Sequence, residues 1–81
     1  MMNDLNSPLH PKALRYVAAV AQLGSVQAAA REVSISASAI DRQILNLEEN
    51  LGVLLFERLP RGMRLTPAGE LLLALSQRWK A

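Results

Sequence analysis

Three apolar repeats of helical spacing, crowded into residues 14–51, restrict this 81-residue chain to a fold built from short helices. Apolar residues at positions i, i+3, i+4 and i+7 form one face of an α-helix. The repeats are Leu14, Val17, Ala18 and Ala21, then Val26, Ala29, Ala30 and Val33, and finally Ile40, Ile44, Leu47 and Leu51. They predict three consecutive amphipathic helices, and such small aliphatic side chains favour close helix packing over a sheet sandwich.

Capping residues stand at the expected ends of these helices. Gly24 and Gly52 can supply the left-handed residue that ends a helix. Ser25 and Ser36 can each cap the next helix by accepting a hydrogen bond from a free backbone N–H. The second and third helices are then joined by a short turn at residues 34–36, which is typical of a helix-turn-helix.

The segment after the third helix has a different pattern. The run Val53–Phe56 is apolar but too short for a helix, Arg61-Gly62 is a turn signal, and Met63–Leu65 has the pattern of a short return strand. These features predict a two-stranded hairpin. A hairpin placed directly after a helix-turn-helix is interpreted as a wing.

A last helix follows the wing. Thr66 is its predicted N-cap, Pro67 fits its first position, and Glu70 stands near the start as in a capping box. Its apolar stripe includes Ala68, Leu72, Leu75 and Trp79. The predicted fold is therefore mainly α: a winged helix-turn-helix of three helices and a short wing, followed by a linker helix.

The composition argues against several classes of function. The chain has no cysteine and a single histidine, His10, so we expect neither a metal site nor a cofactor. It has no recognisable nucleophile–base pair or phosphate loop, so we do not expect an enzyme. The longest strongly apolar run, Leu71–Leu75, is far shorter than the roughly 18 residues of a membrane span, which favours a cytoplasmic protein without membrane contact.

The distribution of charge points to nucleic acid more strongly than the net charge of +2 does. Arg58, Arg61 and Arg64 fall in a stretch without acidic residues around the hairpin turn. They predict a cationic wing tip that contacts the backbone or the minor groove of DNA. Glu48 and Glu49 are interpreted as part of a solvated helix face.

The third helix carries a second face, opposite its apolar one. That face contains Ser38, Arg42, Leu45 and Glu49, with Asp41 at its side. The N-terminal residues of a recognition helix reach base edges in the major groove, and Ser38 and Arg42 lie one turn apart there. Arg42 can bind guanine or a phosphate through paired hydrogen bonds. Asp41 either contacts a base, offsets the charge of Arg42, or has no role.

An ordered set of motifs resembles the LysR-type transcriptional regulators. The motifs are Ala29-Ala30, Ser36–Ile40, Arg42–Ile44, Leu47-Glu48, Leu51-Gly52, Leu55–Arg58 and Leu65–Glu70. Their order and spacing resemble the family's DNA-binding domain from about residue 11 to the C-terminus. The resemblance implies a winged helix-turn-helix that binds double-stranded DNA, a dimerising linker helix, and a separate effector domain. We expect that last domain, and its small-molecule effector, only in a longer form of the protein.

The resemblance and the charge pattern together predict the DNA contacts. The predicted set is Gln27, Ser36, Ala37, Ser38, Asp41, Arg42, Arg58, Arg61 and Arg64. Three positions depart from the family, which commonly has Gln in place of Ala37, Ser in place of Asp41, and Lys or Arg in place of Leu45. These departures leave the target sequence open. They also favour the alternative function, a winged-helix protein-interaction module that has lost DNA binding.

The last helix is apolar on two adjacent faces, and a domain this small cannot cover both. We therefore predict a homodimer interface formed by Leu71, Leu72, Leu75 and Trp79. The predicted organisation is a flexible arm at residues 1–9, a DNA-binding domain at 10–65 and a linker helix at 66–81. Such a dimer would bind a two-fold-symmetric site on the bacterial nucleoid.

Overall fold

The computed structural model describes residues 11–79, with side chains described for residues 12–78. The predicted N-terminal arm therefore lies outside the described residues. The elements are α1 (Pro11–Leu23), α2 (Val26–Val33), α3 (Ala37–Leu51), β1 (Phe56–Leu59), β2 (Gly62–Leu65) and α4 (Pro67–Trp79). This order confirms the predicted winged helix-turn-helix with a following helix. None of the described helices has the length and hydropathy needed to cross a membrane.

The predicted caps organise the helix-turn-helix. The Ser25 hydroxyl accepts a hydrogen bond from the Ala28 amide at 3.0 Å, and the Ser36 hydroxyl accepts one from the Ala39 amide at 3.1 Å. Between the two helices, Ser34 adopts the left-handed conformation with φ of 61°. The two hydroxyls fix where α2 and α3 begin, and Ser34, whose amide donates to the Ala30 carbonyl, ends α2 and sets the turn between the two helices.

The core lies among α1, α2, α3 and the wing. Its buried apolar residues are Ala13, Val17, Val20, Ala29, Ile40, Ile44, Leu47, Leu55, Phe56 and Met63. The predicted faces of α2 and α3 point inward, but the predicted face of α1 is only partly correct: Val17 and Ala21 contact the core and the other two residues do not. Ala13 and Val20 are buried with Val17, whereas Leu14 and Ala18 are only half-buried. Because α1 is apolar on most sides, its periodicity fits more than one face.

The wing begins later than the apolar run at 53–56 predicts. In the antiparallel pairing of β1 with β2, Phe56 lies opposite Leu65 and Leu59 lies opposite Gly62. The turn is therefore at residues 60–61 rather than at Arg61-Gly62. Only Phe56 of the apolar run belongs to a strand, since the residues before it form the loop that leads out of α3.

Glu48 binds the chain where that loop enters β1. Its side-chain oxygen accepts hydrogen bonds from the backbone amides of Leu55 at 2.8 Å and Phe56 at 3.2 Å. The residue is buried, with 7% of its surface exposed, so the prediction of a solvated Glu48 is wrong. Glu48 lies one turn after Ile44 and next to Leu47, on the inward side of α3. There it satisfies two amides that would otherwise be buried without acceptors.

Two close backbone contacts hold the wing and α4 in place, and each requires a glycine. Gly62 lies against the carbonyl oxygen of Gly24, where a Cβ atom would collide, and the adjacent Met63 amide donates to that oxygen at 2.9 Å. Gly69 lies equally close to the carbonyl oxygen of Leu55. The wing is thus docked on the α1–α2 turn, and α4 is docked on the loop before β1.

Thr66 caps α4 as predicted, but without a capping box. Its hydroxyl accepts from the Gly69 amide at 3.1 Å and donates to the Leu54 carbonyl at 2.6 Å. The Thr66 amide, which a capping-box glutamate would need, donates instead to the Leu55 carbonyl at 2.9 Å. Glu70 also stands one residue beyond the position at which a capping box places its acid.

Candidate nucleic-acid interface

The N-terminal end of α3 is open to solvent. The hydroxyl of Ser36 caps the helix and lies 3.3 Å from that of Ser38. The amides of Ala37 and Ser38 are in the first turn, so they have no acceptor within the helix. Together with the positive end of the helix dipole, these two amides can receive a phosphate oxygen.

Arg42 is the exposed cation of this surface. It lies one turn after Ser38, and both side chains are exposed. Among the described residues, neither of the two ion pairs involves Arg42. Its guanidinium is therefore available for a planar acceptor such as a guanine edge or a phosphate.

Asp41 does not neutralise Arg42 and is not idle, because it binds the wing. Its Oδ1 atom accepts a hydrogen bond from Arg58 Nη2 at 2.7 Å. The side chains of Arg58 and Asp41 remain 48% and 34% exposed, respectively. Arg58 lies opposite Met63 in the strand register, so it projects from the side of the wing that faces the core and α3. The pair joins the candidate recognition helix to the first strand of the wing.

Arg64 lies on the other side of the wing and is also paired. It lies directly opposite Glu57 and donates to Glu57 Oε1 through Nε at 3.2 Å and Nη2 at 2.7 Å. Two of the three arginines of the predicted cationic tip thus have a carboxylate partner, which lowers the net charge of the wing. Residues 58–64 contain no acid, but Glu57, just before them, pairs with Arg64, and Asp41 of α3 pairs with Arg58. Arg61 in the turn belongs to neither of these two ion pairs.

Gln27 and Ala37 complete the predicted set. Gln27 is exposed in the first turn of α2, and Ala37 is half-buried at the first position of α3. Neither side chain carries a charge. The structure thus brings Ser36, Ala37, Ser38, Arg42 and the Asp41–Arg58 pair together around α3, while Arg64 projects from the opposite side of the wing.

Exposed apolar residues lie near the C-terminal end of α3 and in the loop that follows it. Leu45, Val53 and Leu54 are exposed around a shallow depression of about 300 Å³ between the end of α3 and the following loop. Glu48 also lines the depression.

Comparison with known proteins identifies the family. A sequence model of bacterial regulatory helix-turn-helix proteins of the lysR family matches residues 11–70. The chain belongs to this family. The matched region includes the helix-turn-helix, the whole wing and the first turn of α4.

Named relatives in the lysR family are transcriptional regulators. The chain is 59% identical over 56 residues to the regulator TfdS of Cupriavidus pinatubonensis, a match that covers 69% of this chain and 19% of TfdS. It is 57% identical over 56 residues to ClcR of Pseudomonas putida, again covering 69% of this chain and 19% of the relative. The chain therefore matches only about a fifth of the length of these regulators.

Solved structures of family members have the same fold, and some were determined with DNA. The CbnR DNA-binding domain in its DNA complex is 43% identical with a TM-score of 0.79, covering 83% of this chain and 77% of that one. The BenM domain bound to benA site 1 DNA is 37% identical with a TM-score of 0.78, covering 84% of this chain and 76% of that one.

The sequence reasoning missed Glu48 and Glu57 as partners in the site. The helical spacing of Glu48 from Ile44 is the signal that could have placed it on the inward side of α3. Glu57 would have been recognised as the partner of Arg64 if the hairpin turn had been placed at residues 60–61, because that turn makes them direct cross-strand neighbours.

Proposed function

We propose that this chain binds double-stranded DNA sequence-specifically, as the DNA-binding domain of a bacterial LysR-type transcriptional regulator. The observation that carries the proposal is the exposed N-terminal end of α3, where Ser38 lies one turn from Arg42, which belongs to no ion pair among the described residues. A major groove about 12 Å wide admits one such helix, with its N-terminal residues at the base edges. The similarity to DNA-bound CbnR and BenM domains supports the same conclusion.

The predicted contacts divide by the chemistry that each can perform. Arg42 and Ser38 would contact bases, with Ala37 and Asp41 beside them. The free amides at the start of α3, which Ser36 orients by capping the helix, would receive a phosphate. Arg61 at the wing turn would contact the backbone or the minor groove.

The other predicted contacts are at the margins of the surface. Arg58 and Arg64 each keep N–H groups that their carboxylate partners do not occupy, because a guanidinium has five donors. Gln27 at the start of α2 would donate to the backbone. Phosphate contacts of this kind position the domain, whereas the base contacts of α3 select the sequence.

The domain would bind as a homodimer through α4. Leu71 is 61% exposed and Leu75 is 36% exposed on the outer side of this helix. Leu72, also predicted at the interface, packs partly on the monomer core, so its share of the interface is smaller. The side chain of Trp79 lies outside the described residues. Two copies joined along α4 would present two recognition helices to half-sites one or more helical turns apart.

The remaining parts of the proposal concern the whole regulator. Because the chain matches about a fifth of TfdS and ClcR, a small-molecule effector would bind a domain outside the matched region. A regulator that acts on operators would work in the cytoplasm at the nucleoid. The division between a DNA-binding domain and a linker helix at residue 66 stays a prediction, and within the described residues α4 packs against α1 and β2.

Selection of bound duplexes from a random pool, followed by fluorescence anisotropy on the recovered sequence, tests the proposal. We expect a recurring two-fold-symmetric motif and binding that weakens with salt, by about 0.9 in the logarithmic slope for each phosphate neutralised. A chain that binds no duplex at about 50 mM salt, where non-specific electrostatic binding is strong, would contradict the proposal.

A further inference from the structure

The only ion pair that links α3 to the wing within residues 11–79 is Asp41–Arg58. Its two residues are 17 positions apart in sequence, and their 2.7 Å contact exists only because the wing folds back beside α3. Neither residue is buried. The pair therefore contributes little to stability, since exposed ion pairs are worth at most about 1 kcal/mol. Its main consequence is instead electrostatic, because it changes the net charge of the candidate DNA surface.

The positive charge available for the DNA backbone is smaller than the number of arginines around α3 and the wing suggests, because some of them are paired with carboxylates. Arg42 and Arg61 have no carboxylate partner among the described residues, whereas Arg58 carries a counter-charge at hydrogen-bond distance. Sequence-independent binding to DNA is electrostatic, and it depends on how many phosphates the protein neutralises. The Asp41–Arg58 pair as a whole has no net charge, so a phosphate contact through the remaining N–H groups of Arg58 adds no neutralised phosphate to the salt slope, and the carboxylate repels an approaching phosphate.

We propose that Asp41 is a specificity-determining residue that suppresses sequence-independent binding to the DNA backbone by neutralising Arg58. This inference rests on the proposed DNA-binding function. Arg58 keeps its place beside α3 and its remaining N–H donors, but its charge is withheld from phosphates. The affinity of the domain for DNA would then depend more on the base contacts of Arg42 and Ser38.

Asp41→Asn is the decisive variant, because it removes the charge and keeps an oxygen that can accept from Arg58. On a duplex of unrelated sequence, we expect the salt slope to steepen by about 0.9, the value for one additional phosphate. Relative to equal binding of the two proteins at about 1 M salt, that slope corresponds to binding on the order of eight-fold tighter at about 0.1 M salt and two-fold tighter at about 0.5 M. Asp41→Ala should behave similarly, because charge rather than the hydrogen bond is the cause.

Two further variants act as controls. Glu49→Gln makes the same change of charge on α3, at an exposed residue that belongs to neither described ion pair, and should change the slope by less than half as much. The double variant Asp41→Asn with Arg58→Gln should return the slope to that of the unmodified protein. Circular dichroism melting of each variant checks that its fold is intact.

The outcomes separate this inference from the proposed function. Failure of the unmodified protein to bind DNA would overturn the function itself. If the protein binds but Asp41→Asn leaves the slope unchanged, the inference is wrong and the function stands. Weaker binding by Asp41→Asn or Asp41→Ala would also overturn it, because Asp41 would then position Arg58 or contact a base directly. If Glu49→Gln changed the slope as much as Asp41→Asn does, the net charge of the protein alone would account for the effect, and the proposed role of the Asp41–Arg58 pair would be wrong.

Discussion

Replacement of Glu48 by Ala should destabilise the domain more than any other single change to a charged side chain of α3. The carboxylate is buried and accepts from two backbone amides, at 2.8 Å from Leu55 and 3.2 Å from Phe56. Each buried amide left without an acceptor costs about 1–3 kcal/mol. The loss of both bonds therefore predicts a decrease of about 2–6 kcal/mol in the free energy of unfolding. This is a large share of the total stability of a small domain, about 5–15 kcal/mol.

Urea denaturation followed by circular dichroism at the helical band measures this change. Glu48→Gln should be milder, because one amide oxygen can still accept from Leu55, and the loss should be close to 1 kcal/mol per weakened bond. Glu49→Ala is the matched control on the exposed neighbour and should lie within about 0.5 kcal/mol of the unmodified protein. A loss below about 1 kcal/mol for Glu48→Ala would refute the reasoning, since the two amides would then have found water or another acceptor.

Three further changes test the fold and the assembly. Gly62→Ala should lower the free energy of unfolding, measured by urea denaturation, by about 3 kcal/mol, because it adds a collision with the Gly24 carbonyl to backbone strain. Gly52→Ala meets open space and should lower it by only about 1–2 kcal/mol, the cost of the left-handed backbone; equal losses would exclude the collision. Ser25→Ala should lower the free energy of unfolding by about 1 kcal/mol in the same urea assay, because α2 loses its N-cap; no change would show that the cap is dispensable. Leu71→Glu should convert the dimer to a monomer in sedimentation at micromolar concentration. The control Leu54→Glu, which changes a leucine of similar exposure outside α4, should leave the dimer intact, and a monomeric unmodified protein would contradict the α4 interface.

Sequence reasoning succeeded where structure is determined locally. Ser25 and Ser36 cap helices that begin at the next residue, so their role depends only on the neighbouring amides. The inward face of α3 was also predictable, because its apolar residues recur at helical spacing and most residues between them are polar. The same reasoning placed the face of α1 only partly correctly, because apolar residues surround most of the helix and tertiary packing selects the side.

The site depends on contacts that local patterns do not contain. Asp41 and Arg58 are brought together by the docking of the wing on the α1–α2 turn, a contact that requires the glycine at position 62. Glu48 reaches the loop before β1 because α3 has turned that side inward. The number of arginines in the wing could therefore be read from the sequence, but their effective charge could not.

Binding of Arg42→Ala to the selected duplex, measured by fluorescence anisotropy at fixed salt, tests the central claim most directly. If α3 reads DNA through this guanidinium, the affinity for the selected site should fall by about 1–3 kcal/mol, with a smaller loss on an unrelated duplex. Arg15→Ala, at an exposed position of α1, is the matched control and should change both affinities little. An unchanged affinity for the selected site, or equal losses from the two variants, would contradict the assignment of α3 as the recognition helix.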